Sequence, residues 1–258
     1  MMIDRISQEE IHSTAQKLIA DAESASSPYL MALIDHALIP ESKLLKRWPG
    51  GRPVAFNLMS HLSADEHISH LLIPLPTEPE ERLAAVAYLV KQCNSYPMFS
   101  LLASKLPPEV IADHLSTLTS VVLPLDSESY LLRFADTRIV PVLDRLLDLE
   151  QHDQLFGPFD QWAYIGRDGK AMLIKGKGLS DLPPAGPLEL SEVQLEGFLS
   201  ACMPDNFIPV LCENSSSFAK ELPSLQYRLI CHWTDIANEA AGGKAESAAC
   251  LSYCLSCL

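Results

Sequence analysis

"YLLRFADTRIVPVLD", residues 130–144, runs an apolar stretch, Tyr130 to Phe134, straight into a second one, Ile139 to Leu147. The first is short and bounded by turn formers and reads as a strand, 129–135; the second has helical spacing. Three charges, Arg133, Asp136 and Arg138, stand at the join. Asp136 directly precedes the helical segment, where a carboxylate satisfies orphan N–H groups and the positive helix end. Arg133 lies on the strand and Arg138 in the first helical turn. A bidentate Arg–Asp pair there would fix the angle between strand and helix. Charges at a buried joint fit three roles: a catalytic centre, an ion-pair staple or a docking surface.

Outward from this joint, the pattern alternates. A helix is expected over 3–24 and a buried strand in the first part of "YLMALIDHAL" (29–38). Strand-like "VAFNLM" (54–59) and the end of "HISHLLIPLP" (67–76) follow. A helix over 79–94 has Pro79 at its start and acids in its first turn. Then come a strand in 96–104, a helix over 107–124, the joint, a helix in "TRIVPVLDRLLDL" and a hairpin in 161–177 turned by "GRDGK". "GLSDLPPAGP" (178–187) has linker composition. Beyond it, with Ser191 as cap, the pattern is helical to the C-terminus. The fold class expected is α/β: an N-terminal helix (1–28), a mixed α/β lobe (29–177), then a linker and small α-helical lobe (178–258).

The chain has 258 residues, 48% of them hydrophobic, and a net charge of −14. That composition folds. Its acidity repels phosphate backbones and anionic lipid, which argues against nucleic-acid binding. Seven cysteines at irregular spacing suit reduced thiols better than a disulfide framework. The N-terminus has no apolar leader, and runs such as "LAAVAYLV" are too short to span a bilayer. A cytoplasmic chain without stable membrane insertion is the expectation.

Few residues offer chemistry. "SHLSADEHISH" (60–70) carries His61, Asp65, Glu66, His67 and His70, but not in zincin order. It is an ordinary polar turn or, in the rival reading, the site of a small hydrolase or metal-dependent enzyme using His61–His70. His36 and His114 are isolated and suit core or surface roles. Cys250, Cys254 and Cys257 recur at i, i+4 and i+7 on one helical face, beside Leu251, Leu255 and Leu258. That stripe is packed core, a partner-facing apolar face, or, with a fourth ligand such as His232 or Cys231, a metal site. No G-x-S-x-G elbow, P-loop or dinucleotide fingerprint is present. No cofactor and no catalytic set is expected.

The segment from Tyr130 to Lys170 resembles the signature of the type VI secretion adaptor chaperones, a Tap-like family first catalogued as a domain of unknown function. The residues that carry the resemblance are Leu132, Arg133, Phe134, Asp136 and Arg138, then Phe156, Gly157, Pro158 and Trp162. "YLMALIDHAL" is similar to the family's opening strand, with Asp35 at its acidic position. The likeness covers about 29–175. Ala135 stands where an aromatic is common, and Thr137 where proline is common. The resemblance implies a non-enzymatic adaptor that binds a cognate secreted effector and the VgrG spike. Many such effectors carry PAAR tips or apolar N-terminal segments, which an apolar helical lobe would shield. The junction residues would hold the scaffold or touch a partner, and Phe156–Gly157–Pro158 would turn the chain into the hairpin.

Overall fold

A computed structural model describes residues 2–23, 27–39, 43–62, 65, 68–124 and 128–258. Along the chain run α1 (Ile11–Ala22), β1 (Tyr29–Asp35), β2 (Phe56–Asn57), β3 (His70–Pro74), α2 (Pro79–Gln92), β4 (Phe99–Ser104) and α3 (Pro108–Thr117). Then follow β5 (Ser120–Val122), β6 (Ser129–Leu131), α4 (Val140–Leu146), α5 (Leu149–Phe156), β7 (Phe159–Ile165) and β8 (Ala171–Lys175). Last come β9 (Leu188–Glu189), α6 (Glu192–Asn214), α7 (Pro223–Ala240) and α8 (Ser247–Ser256). The architecture is the expected mixed α/β lobe followed by helices.

Six strands form an antiparallel sheet in the order β2-β3-β1-β4-β7-β8. Its central strands are mostly apolar because both faces are covered. Successive side chains alternate between faces. Leu30, Ala32 and Ile34 join a core with α1 and α2; Met31 and Leu33 join a second core with Ile111, Phe134, Leu143 and Trp162. A small sheet, β6-β5-β9, packs on the second core through Val121 and Leu188, with β6 exposed. The last three helices enclose a third core around Phe207, Leu211, Ile230, Cys250 and Cys254.

Several expectations are corrected. The first helix begins only at Ile11. Residues before it form an extended strap: Ile3 N–H donates to the Ser95 carbonyl, and Asn94 pairs with both backbone groups of Ile6. Strap and α1 pack into the first core, so the N-terminal helix is part of the α/β lobe. The 107–124 helix stops at Thr117, and Ser120–Val122 pairs with β6 instead. Its β-branched valines and the turn bond from the Thr119 hydroxyl to the Ser116 carbonyl favour that break. "VAFNLM" yields only two strand residues. The strand at the joint ends at Leu131, so Arg133 lies beyond it, just before the turn at Phe134–Ala135. The helix after the joint divides, and α5 starts afresh from an Asp148–Gln151 capping box. The expected linker is tied to the α/β lobe: Gly178 and Leu179 donate to the Phe159 and Gly157 carbonyls, and Leu188–Glu189 pairs in parallel with β5. Ser191 caps α6, as expected, through its own capping box with Gln194.

Candidate functional site

The charged joint is a ladder of three Arg–carboxylate pairs. Arg133 donates through Nε and Nη2 to Asp35 Oδ2, at 3.0 and 2.7 Å. Asp35 ends β1 and is fully buried, whereas the Arg133 side chain is 40% exposed. The expected bidentate Arg–Asp pair is made by Arg138, Nε to Asp136 Oδ1 at 3.0 Å and Nη2 to Oδ2 at 2.6 Å. Arg167, in the β7–β8 turn, is bidentate to Asp205 of α6 at 2.8 and 2.7 Å. Arg138 Nη1 stands 3.8 Å from the same Asp205 carboxylate, so the second and third rungs are linked. Arg167 also lies over the Tyr227 ring of α7, 3.7 Å from its centroid, a cation–π contact.

Asp136 does not cap α4. Its Oδ1 accepts the Arg138 N–H and its carbonyl accepts the Ile139 N–H, closing the turn that precedes the helix. Pro141, in the first turn of α4, needs no N–H partner there.

Burial sets the electrostatics. It pushes the Asp35 carboxyl above its ordinary range, against the pull of the Arg133 guanidinium. Burial, with Arg133 nearby, brings His70 down to about 3, so the imidazole 3.7 Å from Asp35 is neutral and packs edge-on against Phe134. Burial opposes the Arg138 charge, but Asp136 and Asp205 outweigh it and hold its pKa above the usual value.

The His70 shift has a definite sign. A folded pKa near 3, against 6.5 for the free group, means the unfolded chain binds the extra proton between those values. Its contribution to stability is therefore complete above about pH 6.5 and is lost as pH falls toward 3. Asp35, raised, has the opposite sign. Equilibrium unfolding from about pH 7 to pH 4 is expected to show wild type losing stability relative to His70→Gln, by up to ~1.4 kcal/mol per pH unit.

The other expected site residues are mostly core. Phe134, Phe156 and Trp162 are buried, with Trp162 edge-on to Phe156 and Phe159 at 5.1 and 5.3 Å. Gly157 and Pro158 carry α5 into β7, as expected of that turn, and Ser104 donates to the Pro158 carbonyl. A Cβ on Gly157 would meet the Asp153 carbonyl oxygen at 2.2 Å and Leu179 at 2.9 Å. Gly157→Ala is thus expected to destabilise the fold by about 2 kcal/mol or more in chemical denaturation, through forced backbone displacement.

The C-terminal stripe divides. Cys250 and Cys254 are fully buried in the third core, so as partner-facing residues they are corrected. Leu251 is half-buried, while Leu255, Cys257 and Leu258 are exposed. Cys257 is the C-cap residue, beyond the last packed turn of α8. The cysteines are unpaired. Among the described residues no group of three or more His, Cys, Asp or Glu is placed to hold a metal ion. His61 meets Thr119, His70 meets Asp35, and Glu66 and His67 lie outside the described residues.

Sequence reasoning noted Asp35 but not its partner, and missed Arg167 and Asp205. Asp35 pairs with Arg133 across 98 positions. Its signal was a carboxylate closing an otherwise apolar strand, which needs a cation if buried. Asp205, between Pro204 and Asn206 inside a helix, and Arg167, in a turn, gave no local sign of each other.

Fold and site define a mixed α/β protein in which Arg167 and Arg138 tie Asp205 of the helical lobe to the hairpin and the joint of the α/β lobe. Residues 32–154, from β1 to α5, match the family model of a domain of unknown function, DUF4123. No curated protein and no solved structure matches the chain. No helix among the described residues is long and apolar enough to cross a membrane.

Proposed function

We propose that this chain is a cytoplasmic, non-catalytic adaptor chaperone that binds a cognate type VI secretion effector and helps load it onto the VgrG spike. The observation that carries the reading is a coincidence of position. The family-model match spans the joint that resembles the adaptor signature, and there Arg133 and Arg138 are paired with Asp35 and Asp136. Arginines bound bidentately to carboxylates hold a scaffold rigid. They are not poised to exchange protons with a substrate. Beside the scaffold, Tyr130 and Leu131 are exposed, a surface suited to protein contact.

The test is co-purification from native cytosol, with the tagged chain as bait and mass spectrometry as readout. A spike protein and a toxin-like partner are expected. Recovery of neither, from cells that express both, overturns the reading. Asp136 is a poor site for a disruptive variant because it is buried in its pair with Arg138. Leu131→Glu, on the exposed outer face, is the better probe of whether the joint itself is in contact.

A further inference from the structure

We infer that residues 3–6 fill a recognition site for an extended peptide of the pattern apolar–Asp–any–apolar, and that a partner segment of that pattern takes their place. The cleft lies where the turn after α2, the β7–β8 turn and the start of α7 meet. The strap is held in it as a ligand is held. Ile3 and Ile6 are buried in the first core, while Arg5 between them is exposed. Ile3 N–H donates to the Ser95 carbonyl at 3.0 Å, and Asp4 N–H to the Arg167 carbonyl at 2.8 Å. Asn94 reads both backbone groups of Ile6: its Oδ1 accepts the N–H at 2.9 Å and its Nδ2 donates to the carbonyl at 2.8 Å. Such bonds accept any extended backbone, so the enclosed side chains set the pattern.

Asp4 supplies the specificity. Its Oδ1 accepts the Ser224 N–H at 2.8 Å and its Oδ2 the Ser224 hydroxyl at 2.5 Å. Ser224 stands in the first turn of α7, whose own N-cap residue, Leu222, makes no side-chain capping bond. The helix thus takes the partner of an orphan N–H, and a negative charge for its positive end, from 220 positions away. Asp4 and Ser224 are both buried, so the socket is shaped to a carboxylate rather than open to solvent ions. Gly169, at φ +73°, lets the strap approach: a Cβ there would meet the Asp4 carbonyl oxygen at 3.0 Å. An exposed turn at 7–10, fastened by the Ser7 hydroxyl on the Glu10 carboxylate, joins the strap to α1 and serves as its hinge. A segment tethered this closely has an effective concentration on the order of millimolar, so a free peptide competes poorly. A partner already docked elsewhere on the chain presents its segment at a comparable concentration. Exchange then frees residues 3–6 and leaves α7 capped by the partner.

This site does not depend on the adaptor reading, and the purified full chain is enough to test it. Ile3→Asp with Ile6→Asp should eject the strap and speed hydrogen exchange at the Ser224 amide. A capped peptide with the sequence of residues 2–8 is the probe. It is expected to bind this variant and restore Ser224 protection. The same peptide with alanine in place of its aspartate should bind roughly tenfold more weakly or worse. Asn94→Ala in the protein should cost a similar factor, roughly tenfold. Asp4→Ala keeps both apolar anchors, and carries the test if the double variant fails to fold. At roughly millimolar peptide, the aspartate form should slow Ser224 exchange in Asp4→Ala and the alanine form should not. Absence of binding to either variant, equal binding of the two peptides, or protection that arises from strap exchange within a dimer would each overturn the inference.

Discussion

Arg133→Ala should lower the unfolding free energy by about 3 kcal/mol in urea denaturation at neutral pH. The size follows from an asymmetry. Arg133 reaches solvent, but the Asp35 carboxylate it serves is wholly enclosed at the end of β1. Removing the arginine strands a charge that neither water nor neutral His70 can stabilise, and Asp35 then takes up a proton. Two features follow. The variant should recover stability on mild acidification, as Asp35 neutralises without an ionisation penalty. A double variant, Arg133→Met with Asp35→Leu, should be more stable than Arg133→Ala alone, because it removes both members of the pair. If the single variant matches wild type, the Asp35 rung contributes nothing.

Asp205→Ala should have a comparable effect, about 2–3 kcal/mol, but a different distribution. Asp205 accepts both bonds from Arg167 and faces Arg138, so its loss leaves two guanidinium groups facing an empty position. The Asp136–Arg138 pair remains, and with it the joint. What loosens is the seat of α6 and α7 on the hairpin. Ser224 still donates to Asp4, but Arg167 no longer holds its place over Tyr227. Hydrogen exchange is expected to rise through α6–α8 while the amides of β1 and β4 stay protected. Uniform acceleration across both lobes would show that the third rung does not act as a clamp between them.

How legible the fold was depended on the range of each interaction. β1, α2, β4 and the β7–β8 hairpin were readable because each carries its own periodicity and end signals: Pro79 with acids in the next turn, Gly169 at φ +73° in "GRDGK". Segment 107–124 misled because a helical pattern continues past Thr117, and only pairing with Ser129–Leu131 draws Ser120–Val122 into a strand. The strap at 2–7 misled likewise: Ile3 and Ile6 have helix-compatible spacing, yet Asn94 and Ser95 bind their backbone as extended chain.

The joint shows the division most clearly. Sequence alone pointed to a bidentate Arg–Asp pair at the joint, and Asp136 and Arg138, two residues apart across a turn, form it. It also placed a strand before the joint and a helix after it, through apolar patterning on either side. Only the tertiary structure decided that Arg133 turns to Asp35 and Arg167 to Asp205, and that Cys250 and Cys254 face inward. A buried charge takes the partner that packing brings within about 3 Å, and packing is set by whole hydrophobic faces closing together. No window of the sequence contains that information.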